Sequence, residues 1–240
     1  MEIWQSVVMP QLVDYMASPA YFRINGRPVL IDYTMPFASI EQKAQAYEKL
    51  REATWNRMHV EPFILLMLGP FASYRDEVYN EKKLHPDGFT CFHFPVTRQG
   101  EPYGELTGGW ISNMLQLISP PGGAPDRNLV FVPCGSIGVD SRPWYGIGWT
   151  GWEGEKGPES RPYTVGTTAA AFEKHLRDLK ALIDSRQVET MRTLILYAWN
   201  EWGEAAASIE PSKVNGYAYA DAISRVFELI PRSSRPQTTK

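Results

Sequence analysis

The chain has 240 residues, with 24 Lys and Arg against 27 Asp and Glu, which gives a formal net charge of −3. The balanced charge and the lack of a basic run argue against nucleic acid as a partner. The longest apolar stretch, residues 63–68, is too short to cross a bilayer, and no signal peptide is visible. A cytoplasmic location is therefore the default expectation. Two cysteines, Cys91 and Cys134, indicate no disulfide framework.

Short apolar segments alternate along the chain with segments whose apolar residues recur at helical spacing. The second predicted helix begins with a capping box formed by Ser39 and Gln42. The predicted strands cover residues 28–33, 62–68, 91–96, 129–132 and 193–199. The predicted helices cover residues 4–16, 40–50, 110–118, 172–183 and 219–230.

The predicted strands are apolar throughout, which is typical of a parallel sheet covered on both faces. A (β/α)8 barrel and a doubly wound sheet both fit this pattern, but no Gly-x-Gly-x-x-Gly follows a strand. A barrel needs eight strands and about 250 residues. We therefore expect an incomplete C-terminal portion of a barrel, about strands 4–8, with an exposed apolar edge near residues 28–33. The expected organisation is a single partial barrel domain, residues 1–230, and a flexible tail, residues 231–240.

The most informative segment follows the last predicted strand, where Asn200, Glu201, Trp202 and Glu204 come directly after an apolar run. A carboxyl pair at the mouth of a parallel strand suits cleavage of a glycosidic bond, because one group donates a proton while the other acts as base or nucleophile. We predict Glu201 and Glu204 as catalytic residues, and Asn200 and Trp202 as substrate contacts. A turn with solvated or ion-paired Glu side chains is the structural alternative.

Other polar residues lie at or beyond the carboxyl ends of predicted strands, where barrel enzymes place their active sites. The alternative for Asp140 and Arg142 is an ion pair that ties down the Gly- and Pro-rich loop 135–166. The alternative for His93 is a histidine packed in the core. The further predicted substrate contacts are Asp32, Tyr33, His93, Asp140, Arg142 and Trp144.

Metal and cofactor sites are not indicated. The histidines His59, His85 and His175 show no metal-ligand spacing, and the two cysteines stand alone, so the sequence predicts no zinc site and no cofactor. No Gly-x-Ser-x-Gly motif occurs, which argues against a hydrolase of the α/β type.

Three segments near the C-terminus resemble the signature of glycoside hydrolase family 99-like proteins, a group that includes chains described as WbsX-type glycosyltransferases. They are Tyr197-Ala198-Trp199-Asn200-Glu201-Trp202-Gly203-Glu204, Ile209-Glu210-Pro211 and Gly216-Tyr217-Ala218-Tyr219. Residues 21–30 and 139–144 also resemble stretches of the family. The resemblance therefore covers roughly residues 15–230.

This resemblance implies a (β/α)8 barrel and a retaining cleavage of internal α-mannosidic bonds. By match, Glu201 assists the sugar's own 2-hydroxyl, which gives an anhydrosugar intermediate, and Glu204 is the general acid/base. We expect a retaining glycoside hydrolase that acts on a carbohydrate partner with α-mannoside-type or related polysaccharide linkages. A glycosyltransferase, or an accessory glycan-binding protein of surface-polysaccharide biosynthesis, is the alternative. The sequence leaves the oligomeric state open.

Overall fold

The computed structural model of the chain describes residues 3–33, 39–68, 84–91, 96, 98–119, 128–144, 157–158, 161–201 and 208–228. The predicted tail, residues 231–240, lies outside these ranges. Within them, no helix is long and apolar enough to cross a lipid bilayer.

The strands are short, as expected for the inner layer of an α/β protein. In chain order they are β1 (Arg23–Ile24), β2 (Arg27–Tyr33), β3 (Phe63–Leu68), β4 (Gly88–Cys91), β5 (Glu101–Pro102), β6 (Phe131–Val132), β7 (Cys134–Ser136), β8 (Thr164–Val165) and β9 (Ile195–Tyr197).

The helices alternate with these strands. A π-helical turn, Trp4–Val8, precedes the first α-helix, and a 3₁₀ turn, Arg142–Trp144, follows β7. The α-helices are α1 (Met9–Ala17), α2 (Ile40–Met58), α3 (Tyr103–Gly108), α4 (Trp110–Leu117), α5 (Ala169–Ser185) and α6 (Ala218–Val226).

A mixed α/β fold results, with a curled sheet that forms a half-barrel. Strand β2 pairs in parallel with β3, β3 with β4, and β4 with β6. Strand β7 follows β6 after Pro133 and pairs in parallel with β9. The N–H of Ile195 donates to the carbonyl of Pro133 at 3.0 Å, so the ladder continues across the interruption. Strand β1 is the antiparallel arm of a hairpin with β2.

Alternate side chains of the sheet belong to two apolar layers. Ile64, Leu66 and Leu68 of β3 pack in the helix-facing core, together with Phe89 and Phe131. The opposite face of the sheet carries a second cluster, formed by Val29, Phe63, Leu65 and Val132 with Ile24. Burial on both faces explains why these strands are apolar throughout rather than at every second residue.

The parallel arrangement predicted for the strands that contain Val29, Phe63 and Phe131 is confirmed. The third strand differs from its prediction, because it covers Gly88–Cys91 rather than residues 91–96. Of the predicted range, residues 92–95 lie outside the described part of the chain. Glycine begins β4 because a Cβ at Gly88 would lie 2.8 Å from the carbonyl oxygen of Val130. Sequence periodicity does not reveal such a close approach between strands.

Cys91 and Cys134 form a disulfide, so the interpretation of two isolated cysteines was wrong. They are 43 residues apart in sequence, but their Cα atoms are 5.4 Å apart. The sheet brings them together, since Cys91 ends β4 and Cys134 begins β7. Both are buried, at 3% and 0% exposure, in the helix-facing core beside Trp110 and Met114.

Two helices close over the back of β7 with polar aromatic side chains. The Tyr103 hydroxyl donates to the carbonyl of Ser136 at 2.6 Å, and the Trp110 indole N–H donates to that of Cys134 at 2.9 Å. Gly135 lies between them, and a Cβ there would meet Leu179 at 2.7 Å. The glycine therefore lets α5 lie directly on the strand.

Candidate functional site

The parallel strands place their carboxyl ends on one rim of the half-barrel. β2 ends at Tyr33, β4 at Cys91, β7 at Ser136 and β9 at Tyr197. Those predicted site residues that the structure describes follow or end these strands, so the topology places them along the same rim.

The segment that follows β9 is more exposed to solvent than the strand itself. Trp199 is 56% exposed, Asn200 is exposed and Glu201 is half-buried. The returning segment fixes the backbone here: the N–H groups of Ile209 and Glu210 donate to the carbonyls of Ala198 and Trp199 at 3.0 and 2.8 Å. Glu201 is therefore held at the mouth of the last strand. Trp202 and Glu204 lie outside the described residues.

Beyond β7 the predicted pair Asp140 and Arg142 forms a bidentate ion pair. Nε and Nη2 of Arg142 donate to the two carboxylate oxygens of Asp140 at 2.9 and 2.7 Å, and the Arg142 backbone N–H adds a bond at 3.1 Å. These bonds from Arg142 hold the pKa of Asp140 below its usual range, although partial burial opposes the shift. The guanidinium carbon also lies 3.7 Å from the centre of the Tyr163 ring. The geometry matches the loop-tying role considered for this pair.

Asp140 and Glu201 occupy matching places on neighbouring strands. Ser136 and Tyr197 are Cα partners in the parallel pair of β7 and β9, and each candidate lies four positions beyond its strand residue. The side chain of Trp144 is not described, but its backbone belongs to the 3₁₀ turn that follows Asp140. The two segments therefore leave the same part of the rim together.

At the end of β2 the two predicted contacts face different layers. The Tyr47 hydroxyl of α2 donates a hydrogen bond to the carboxylate of Asp32, which ties Asp32 to the helix layer. Tyr33 is half-buried and points to the other side of the sheet, because successive side chains of a strand alternate. His93 lies outside the described residues.

Sequence reasoning missed Arg161, a large buried side chain of the loop before α5. It is 2% exposed, and its Nη1 donates to the carbonyl of Ser141 at 3.3 Å. Tyr163, which stacks under Arg142, also went unnoticed. Neither residue carries a sequence signal, since both lie in a segment without periodicity. In the described part of the chain, no three His, Cys, Asp or Glu side chains form a group that could hold a metal ion.

Comparisons with known proteins find one family match over part of the chain and several structures of similar fold. The family described as "Glycosyltransferase WbsX" matches residues 159–223, which include the segment from Asn200 to Glu204. A solved "Glycoside hydrolase-like protein" is 14% identical with a TM-score of 0.60, and the alignment covers 92% of this chain and 61% of that one. A comparison with curated protein sequences finds no match.

Another similar structure is the GH99 endo-alpha-mannosidase from Bacteroides thetaiotaomicron. It is 16% identical with a TM-score of 0.54, and the alignment covers 96% of this chain and 64% of the enzyme. The enzyme in complex with BIS-TRIS-propane aligns with the same identity and TM-score, over 94% of this chain and 66% of its own. This chain thus spans about three fifths to two thirds of these structures, and the likeness concerns the fold. The resemblance to the WbsX and GH99 group, predicted from the sequence, is confirmed.

Proposed function

We propose that the chain is the C-terminal part of a (β/α)8 barrel and that it processes glycans as a retaining glycoside hydrolase. The likeness to a glycoside hydrolase-like protein and to an endo-alpha-mannosidase supports a glycan-processing role. The proposed substrate has α-mannoside-type or related polysaccharide linkages. The proposed chemistry needs only protein carboxyl groups.

One observation carries the proposal: Glu201 lies at the carboxyl end of a parallel strand, on the rim that the other strands share. The strand that leads to Glu201 contains no charged residue. A half-buried carboxyl group at the end of such a strand suits a role in proton transfer to or from a substrate. Asn200 and Trp199 are exposed beside it and offer an amide and an indole to a sugar.

In the proposed mechanism Glu201 accepts the proton of the sugar's 2-hydroxyl, which then attacks the neighbouring anomeric carbon. Glu204 donates a proton to the leaving oxygen and later takes one from the attacking water. In the first step the bond formed to the 2-oxygen replaces the glycosidic bond that breaks. In the second step the water oxygen bonds to the anomeric carbon, the bond to the 2-oxygen breaks, and Glu201 returns its proton to the 2-oxygen. Proton transfer by a positioned carboxyl group contributes about 10²–10⁴-fold to such a rate.

Substrate contacts are proposed for Tyr33, Asn200 and the Asp140–Arg142 pair. The ion pair and the Tyr163 ring make a rigid wall beyond β7, next to the segment that carries Glu201. Because the side chains of this wall are already fixed, they can position a sugar without losing further conformational freedom on binding. Asp32 is proposed as a further substrate contact at the end of β2. Its carboxylate accepts the hydrogen bond from Tyr47 of the helix layer.

The test compares wild type with Glu201→Gln and Glu204→Gln on α-mannan fragments and α-mannosyl fluorides. Each substitution is expected to lower kcat/KM by about 10²–10⁴-fold, or roughly 3–5 kcal/mol of transition-state stabilisation. Glu210→Gln is the matched control, since this carboxyl group lies on the returning segment outside the proposed pair. Equal activity of all four proteins would remove the Glu pair from the mechanism.

The second candidate is a glycosyltransferase, or an accessory glycan-binding protein, and the match to the WbsX description favours it. This candidate would be favoured over the hydrolase if the wild-type protein binds glycans without cleaving them. Both Gln variants should then bind glycans as the wild type does.

A further inference from the structure

A shallow groove of about 360 Å³ lies on the outer face of α2, away from the rim. Its wall consists of one aromatic and four charged side chains: Glu48, Arg51, Glu52, Trp55 and Glu61. The volume falls at the lower end of the range of about 300–1,000 Å³ that ligand sites occupy. None of these residues belongs to the candidate site described above.

Trp55 is the central feature of the groove, because it is 54% exposed on a helix whose other large apolar side chains are buried or half-buried. The sheet-facing side of α2 carries Tyr47, Leu50 and Thr54, all buried. Trp55 lies on the flank of the helix, about 100° around the axis from this side. Its indole meets the His59 ring edge-on at 6.1 Å, at the point where His59 ends the helix in a left-handed conformation. The indole is therefore in contact with one neighbouring ring and still exposes about half of its surface.

One polar side chain of the groove, Arg51, and the backbone at Glu61 are held in place by hydrogen bonds. Arg51 donates to the Glu48 carboxylate at 2.8 Å and to the carbonyl of His85 at 2.8 Å, and its side chain is only 14% exposed. The carbonyl of Glu61 accepts a bond from Nε of Arg27 at 3.3 Å. Arg51 is therefore already positioned before a ligand binds, so this part of the wall needs little ordering on binding.

The charges of the wall select among ligands. Three carboxylates and one guanidinium give the groove a net charge of −2, which disfavours anionic ligands. An open indole beside hydrogen-bond acceptors and a donor suits a neutral sugar, whose ring presents an apolar face and hydroxyl groups.

We propose that this groove is a second glycan-binding site, in which Trp55 stacks on a pyranose ring of a neutral polysaccharide. The inference deepens the proposed function, because an enzyme that acts on a polymer holds it more strongly through two linked contacts than through one. Glu52 and Glu61 accept hydrogen bonds from the sugar hydroxyls. Weak binding of single sugars is expected, and stronger binding of polymers.

The test is electrophoresis of the whole chain through native gels that contain soluble α-mannan, a neutral α-glucan, xylan or galactan. Wild type is expected to be retarded by at least one of them, and Trp55→Ala to bind at least tenfold more weakly. Tyr15→Ala is the matched control, because this aromatic side chain is 67% exposed on α1. The double variant Glu52→Gln with Glu61→Gln, a milder change, is expected to weaken binding severalfold. Circular dichroism checks that each variant is folded.

The outcomes separate this site from the catalytic proposal. Glu201→Gln should be retarded like wild type, and Trp55→Ala should keep the cleavage of short oligosaccharides. Retardation lost in Trp55→Ala but kept in Glu201→Gln supports the groove even where no cleavage occurs at all. Equal retardation of Trp55→Ala and wild type, loss only in Glu201→Gln, or no retardation by any polymer would overturn it. Binding of tetramethylammonium without binding of any polymer would overturn the sugar assignment.

Discussion

The centre of the sheet and its last strand have similar sequences and different surroundings. In β3, Ile64, Leu65 and Leu66 are all fully buried. In β9, the equally apolar residues Ile195–Tyr197 are each only partly buried. Strand β3 has β2 and β4 as neighbours, whereas within the described residues β9 pairs with β7.

The contrast teaches that an apolar run predicts a strand but not how deeply it is buried. Neighbouring strands and helices decide that, and a strand at an edge keeps exposed surface. The same edge carries the exposed Trp199 and Asn200 and the half-buried Glu201. Stability is therefore expected to depend on the centre of the sheet, and the proposed glycan chemistry on the edge. The following changes test this division.

The largest effect is expected from the disulfide, which joins β4 to β7 in the centre. It closes a loop with a sequence separation of 43, for which the chain-entropy estimate is about 4 kcal/mol. Replacing Cys91 and Cys134 by Ala together should lower the free energy of unfolding by that amount. Urea unfolding with and without a reducing agent measures it. A loss below about 1 kcal/mol would show that the bond adds little to the centre.

A matched pair of leucines comes next. Leu66→Ala in β3 should lower the free energy of unfolding by about 3 kcal/mol, because it opens a cavity at a fully buried position. Leu196→Ala in β9 should lower the free energy of unfolding by about 1 kcal/mol. This side chain is only partly buried, against a cluster that includes Phe172 and Leu176 of α5. Urea unfolding of both variants gives the comparison directly. Equal losses would contradict the difference drawn between the two strands.

An acid-dependent effect is expected at His175, which lies 1% exposed behind β7. Burial lowers the pKa of His175 from 6.5 to about 4; nearby Asp178 opposes the shift and Lys174 adds to it. The Trp110 and Tyr103 rings pack against it. Since the unfolded chain binds the proton more readily, stability is lost as pH falls below 6.5, by about 2 kcal/mol at pH 5.

The measurement is urea unfolding at pH 7 and pH 5 for wild type and His175→Phe. The variant should lose less stability between the two values than wild type does. His59→Phe is the control, since this histidine is exposed at the end of α2 and does not contact the Trp110 and Tyr103 rings. The same dependence in all three proteins would remove His175 from the explanation.

The smallest effect on stability is expected from the Asp140–Arg142 pair on the rim. The bonds from Arg142 lower the pKa of Asp140, so their contribution is present above the ordinary value of 3.8 and is lost as pH falls. Asp140→Asn should cost about 1 kcal/mol at pH 7, because one partner is a third exposed. A double-mutant cycle with Arg142→Gln, followed by urea unfolding, isolates the coupling. A coupling free energy well above 1 kcal/mol would show that the pair contributes to stability as strongly as residues at the centre of the sheet.

Much of the fold could be predicted from the sequence, because parallel strands and amphipathic helices carry a periodic signal. The capping box of Ser39 and Gln42 is present as predicted, and both of its bonds are formed. The disulfide and the close approach at Gly88 could not be predicted, since they depend on which strands become neighbours. For the site, the sequence indicated the segments on the rim, and the Asp140–Arg142 pair is formed. It gave no sign of Arg161 or Tyr163, whose positions depend on an irregular loop.

The buried disulfide also affects how the protein can be produced in recombinant form. Disulfides form and persist in oxidising compartments and are rare in the reducing cytosol. Cys91 and Cys134 are closed off from solvent once the chain has folded, so the thiols must meet an oxidant before that stage. Recombinant production is therefore expected to give more folded protein after export to a bacterial periplasm than in a reducing cytoplasm.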